Sequence, residues 1–108
     1  VRYYIKPKSK YGATPTKVGD VQCASKLEAN YYKHLELLQK AGEVKFFLFQ
    51  VPFRLEGGVR YIVDFVVFHS DGKIEFIDTK GRDTPLSILK RKQVEARYPV
   101  EIRIVRKV

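Results

Sequence analysis

The stretch VDFVVFHSDGKIEFIDTKG (residues 63–81) decides the fold, because it holds two apolar runs with a carboxylate set into each. Asp64 interrupts Tyr61-Ile62-Val63-Asp64-Phe65-Val66-Val67-Phe68, and Asp78 ends Ile74-Glu75-Phe76-Ile77-Asp78, with Lys80 two residues on. Runs of this length, rich in β-branched and aromatic residues and separated by Ser70-Asp71-Gly72, read as a β-hairpin over 61–68 and 74–79. A carboxylate inside such a strand costs several kcal/mol, of the order of ~3, unless something compensates it.

The register of the hairpin decides whether the two acids meet. A three-residue loop with Gly72 left-handed in a bulge pairs His69 with Lys73. Phe68 then faces Ile74, Val66 faces Phe76 and Asp64 faces Asp78, with Ile62 opposite Lys80. That register gathers Asp64, Asp78 and Lys80 at one end of one face, and it is preferred here for that reason. A two-residue Asp71-Gly72 turn would put the acids on opposite faces, and Asp-Gly also suits it. Facing carboxylates repel. A divalent cation between them relieves the repulsion, and carboxylates with water and phosphate are the oxygen set of Mg2+ or its substitute Mn2+. The competing explanation is structural: Lys80 pairs with one acid and solvent takes the other.

Outward from the hairpin, Ser25-Lys26-Leu27-Glu28 has the capping-box pattern, Ser25 at N-cap and Glu28 at N3. Leu27, Tyr31, Leu35 and Leu38 form one helical stripe, and Gly42 is the expected stop, giving a helix over 26–41. A strand is expected over 43–53, with its aromatic run 46–49 in the core and Gln50 within reach of the acids; Pro52 limits pairing near its end. Gly57-Gly58 is a turn. A second helix is expected over 87–97, ended by Pro99, and a last strand over 100–105. The order helix, strand, strand, strand, helix, strand predicts an α/β domain over 21–108, a mixed central β-sheet flanked by helices. The hairpin is apolar on both faces, as strands covered on both sides are.

Composition narrows the function. The 108 residues suit one domain. The single cysteine, Cys23, allows no internal disulfide and no cysteine-based zinc site; it fits a reducing, cytoplasmic setting. No apolar run approaches the ~20 residues of a membrane span, and the first residues lack the pattern of a signal peptide. Net charge is +9, from 21 basic and 12 acidic residues. That predicts a polyanionic partner, nucleic acid foremost. Residues 1–17 carry Arg2, Lys6, Lys8, Lys10 and Lys17 with no acid, and 1–20 read as a basic arm ordered by its partner. Lys80, Arg82, Lys90, Arg91 and Lys92 form a second cluster against Asp83 alone, with Lys90-Arg91-Lys92 on the second helix placed to follow a phosphate backbone. His34 and His69 receive no role.

Asp64, then Asp78-Thr79-Lys80, in a hairpin preceded by a helix bearing Glu28, resembles the PD-(D/E)xK nuclease superfamily, whose fold is the restriction-endonuclease-like core. Ile77-Asp78-Thr79-Lys80-Gly81 through Lys90-Arg91-Lys92, Tyr98-Pro99 and Glu101-Ile102-Arg103-Ile104-Val105 is similar to Holliday-junction resolvases of the phage endonuclease I type. The resemblance implies that Asp64, Asp78, the Thr79 backbone carbonyl and Glu28 hold Mg2+. It further implies that Lys80 orients or deprotonates the attacking water. Val63 stands where the family often has proline. Also implied are phosphodiester hydrolysis on branched DNA such as Holliday junctions, a homodimer, and the cytoplasm of a phage host. A non-catalytic DNA-binding protein on the same fold is the alternative, although a pure binder gains nothing by turning carboxylates toward DNA.

Overall fold

The computed structural model describes residues 14–108. The expected Lys6, Lys8 and Lys10 contacts, and most of the arm, lie outside them. The described residues open with a two-stranded hairpin, β1 (Thr16–Val18) and β2 (Val21–Cys23), joined at Gly19, which has φ +57°. Residues 16–20 therefore belong to a paired turn, not to the extended arm expected over 1–20. The signal was Val18-Gly19-Asp20-Val21, a two-residue Gly-led turn between β-branched residues.

Helix α1 (Lys26–Lys40) starts where the capping box places it, and the Ser25 side chain accepts the N–H of Glu28 at 3.1 Å. It stops at Gly42, whose φ of +82° lets the Glu43 N–H return to the Leu38 carbonyl at 3.0 Å. Strands β3 (Val44–Arg54), β4 (Arg60–His69) and β5 (Ile74–Thr79) follow, then α2 (Pro85–Arg97) and β6 (Ile102–Val105). Helix α2 begins two residues before the expected start, because Thr84 caps the Ser87 N–H at 3.1 Å and Pro85 occupies the first turn. The sheet order is β3-β4-β5-β6, antiparallel except for the last, parallel pair. This is an α/β fold with a mixed four-stranded central sheet and two helices, compatible with a restriction-endonuclease-like core.

The hairpin takes the bulged register. Gly72 has φ +95°, the His69 N–H reaches the Lys73 carbonyl at 2.8 Å, Phe68 faces Ile74 and Val66 faces Phe76.

Two apolar clusters sandwich the sheet. Tyr31 and Leu35 of α1 pack with Phe65, Val67 and Ile77; Val94 of α2 packs with Tyr61, Val63 and Ile102, with Phe76 against them. Adjacent residues Ile77 and Phe76 join different clusters, so the clusters lie on opposite faces. Phe65 is the centre of the α1 side, fully buried with the rings of Tyr31 and Phe49 at 5.3 and 5.2 Å.

Strict alternation fails at one level of the sheet. Phe65 faces α1 while Val63, two residues away, faces α2; on β3, Phe49 and Phe53 divide in the same way. Between them on β3 stands Gln50, whose φ is +56°. A left-handed non-glycine residue costs on the order of 1 kcal/mol or more. Counting between the pairs Phe49↔Phe65 and Val51↔Val63 sets Gln50 across from Asp64. The two strands thus exchange faces together at the level of Asp64.

Cover by helices is also incomplete. Phe46, Leu48 and Ile74 are 46%, 45% and 49% exposed, so the 46–49 run is only half core and the hairpin is not sheathed on both sides along its length. Phe46 stacks on Phe68 with ring centroids 4.4 Å apart. Among the described residues no helix is long and apolar enough to cross a membrane.

Candidate active site

The site is built where β4 and β5 part. Their ladder ends at Phe65↔Ile77; beyond it β5 continues against β6, while β4 continues against β3. Asp64 and Asp78 would form the next rung. Instead of a backbone pair, they make a reciprocal clasp. Asp78 Oδ1 accepts the Asp64 N–H at 2.9 Å, and Asp64 Oδ2 accepts the Thr79 N–H at 2.8 Å and the Thr79 hydroxyl at 3.0 Å. Both acids are 1% exposed. Buried carboxylates are tolerable here because N–H and O–H donors converge on them. The single face expected to carry Asp64, Asp78 and Lys80 presumed unbroken alternation, which β4 does not keep; the acids come together in the fork through side chain and backbone.

Tyr61, at the start of β4, adds a donor that sequence reasoning missed. Its hydroxyl donates to Asp78 Oδ2. Burial, and then the charge of Asp78, push the phenol far above its ordinary range. Arg91 of α2 interacts with the same hydroxyl. Arg91 also grips Asp83 with both guanidinium nitrogens, at 2.6 and 3.1 Å. That hydrogen bond lowers the Asp83 carboxyl below the usual range and raises Arg91. Arg91 was expected to contact DNA; the structure turns it inward, because Asp83 at the mouth of the helix offers a bidentate partner. No spacing rule announces a Tyr61–Arg91–Asp83 chain that spans three elements.

Lys80 is half-buried, and its N–H donates to the Val105 carbonyl at 3.0 Å, tying the fork to β6. Its charge also helps hold Asp83 ionised. Arg82 and Lys92 are exposed and Lys90 is half-buried. Glu28 is buried at 1% exposure, and its Oε1 accepts the Ala24 N–H at 2.7 Å. Among the described residues no three His, Cys, Asp or Glu side chains converge on a metal-sized space, so Glu28 does not complete the expected acidic trio. The cap geometry explains why: the capping box turns its carboxylate back over the start of α1. Beside it, burial and then the Glu28 charge raise Cys23 to about 11.

The donor set suits Mg2+ more than zinc. Mg2+ needs one or two carboxylates and completes its octahedron with water and phosphate, whereas a structural zinc site needs about four side-chain ligands.

Fold and site together define an α/β protein with a carboxylate pair buried in the fork of its central sheet and Lys80 two residues along the chain from Asp78. The chain belongs to the family described as Protein of unknown function (DUF1064), which matches residues 8–107. No curated protein and no solved structure matches the chain.

Proposed function

We propose that the protein is a Mg2+-dependent DNA endonuclease of the PD-(D/E)xK type. The observation that carries this reading is the clasp of Asp64 and Asp78 in the β4–β5 fork, with Lys80 two residues beyond Asp78. Two carboxylates desolvated side by side are a poor structural device, since apolar residues of similar volume would serve at least as well. They become useful when a dication is to be held.

Asp64 and Asp78 would hold the ion, with the Thr79 carbonyl a further donor within the same turn of chain. When bound, the cation lowers the pKa of water toward ~7 and stabilises charge on the phosphate. The protein supplies the rest. Thr79 fixes one Asp64 oxygen by two bonds, and Tyr61 fixes Asp78, so neither carboxylate is free to rotate. Lys80 presents a cation beside them that orients the attacking water or takes its proton. Arg82, Lys90 and Lys92 provide sequence-independent contact with the DNA backbone, in keeping with a net charge of +9.

Branched DNA is the proposed substrate class, and two copies of the chain would deliver symmetric cuts to two strands. A host-cell cytoplasm is the setting in which such a substrate arises. The test is cleavage of a four-way junction and of linear duplex in Mg2+ and Mn2+, with and without EDTA, by wild type, D64N and D78N. The reading predicts metal-dependent cutting by wild type, with both variants at least ~100-fold slower yet still binding DNA. Binding without cutting by wild type in either metal would leave the non-catalytic DNA-binding alternative in its place.

A further inference from the structure

Gln50 is the one non-glycine residue with a positive φ among the described residues, and on β3 it stands opposite Asp64 of β4. Glycine would adopt this backbone without strain, and a strand needs no polar side chain there. The residue is half-buried, yet no described residue hydrogen-bonds its side chain. The turn of the backbone serves the exchange of faces, but the choice of Gln over Gly at this position does not.

In the fork, the Asp64 N–H, the Thr79 N–H and hydroxyl and the Tyr61 hydroxyl are all directed at the carboxylates. A phosphate arriving beside two negative charges needs hydrogen-bond donors of its own. A second lysine would supply one but would also neutralise the pair that is to hold a cation. A neutral amide donates without doing so.

We propose that Gln50 is a substrate-contacting residue of this site, its Nε2–H donating to an oxygen of the DNA phosphate seated at Asp64 and Asp78. The inference rests on the nuclease reading for the identity of the ligand. It is tested with wild type, Q50G and the isosteric Q50E, by DNA affinity in Ca2+, cleavage rate in Mg2+ and thermal melting.

Q50G is expected to melt at or above the wild-type temperature while binding DNA about tenfold more weakly and cutting more slowly. Q50E, which keeps the size but loses the donor, is expected to lose at least as much. A Q50G protein that binds and cuts like wild type overturns the inference and leaves the nuclease reading standing. So does one that melts lower as it loses binding, since Gln50 would then serve the fold. If wild type binds but never cuts, and Q50G binds more weakly, the contact stands and the nuclease reading falls. A wild type that does not bind DNA overturns both.

Discussion

Arg91 holds Asp83 through both guanidinium nitrogens, and the pair is nearly closed to solvent, with side chains 12% and 10% exposed. Of three consecutive basic residues on α2, the middle one is therefore a strut between the helix and the loop that carries Lys80. Its neighbours point elsewhere, as residues 100° apart on a helix must.

The strut should make stability depend on acid. The Asp83 carboxyl is lowered from its ordinary 3.8, chiefly by the Arg91 hydrogen bond. Its contribution is complete above that ordinary value and is lost as pH falls through the depressed folded one. D83N should cost about 1–2 kcal/mol in urea denaturation at pH 7, and the gap from wild type should close as pH falls below the ordinary carboxylate range. A gap that persists unchanged in acid would show that the carboxylate charge is not what Arg91 uses.

Division of labour on α2 has a second consequence under the nuclease reading. K90E and K92E together should weaken DNA binding and reduce the salt slope of log Kd by about 2. Arg91 should contribute to folding instead. Titrations of labelled DNA at several salt concentrations measure this, and an unaltered slope would remove α2 from the interface.

Tyr61 offers a lighter probe of the fork. Y61F keeps the ring in the α2-side cluster and deletes only the donor to Asp78. Stability should fall by about 1–2 kcal/mol, the cost of leaving a buried acceptor one bond short. Affinity for Mn2+, read by calorimetry, should fall about 10-fold because Asp78 is no longer oriented. Unchanged heats would mean that Tyr61 only fills space.

Cys23 is fully buried and its thiol is raised to about 11. Since the thiolate is the reactive form, iodoacetamide at pH 8 should leave the folded protein unmodified and label it once in denaturant. Mass spectrometry decides. Rapid labelling of the native protein would mean that β2 and the start of α1 open readily.

The hairpin register was legible because it is local: Ser70-Asp71-Gly72 permits few turns, and the bulged one is the turn that gathers the charged residues at one end of the hairpin. The first helix was legible for the same reason, from Ser25 and Glu28 at one end and Gly42 at the other. What escaped was anything that depends on departure from periodicity. The change of face at Asp64 violates the rule by which strands are read, and Gln50 gives no compositional hint of its left-handed backbone. Thr84 gives a weak signal as a cap, because a Thr-Pro pair reads as loop as readily as helix start, whereas here Pro85 begins the helix. Arg91 was grouped with its basic neighbours because charge is visible in sequence and direction is not.

The clasp in the fork bears on how an inactive variant should be chosen. Asp64 and Asp78 stand in for missing rungs of the sheet, each carboxylate accepting a main-chain N–H across the fork. Alanine at either position would orphan an interior amide and unstitch the strands along with any chemistry, so a silent alanine protein would report on architecture as much as on reactivity. Asparagine retains an oxygen for that amide while it removes the charge and turns the other acceptor into a donor, which makes it the informative knock-out here.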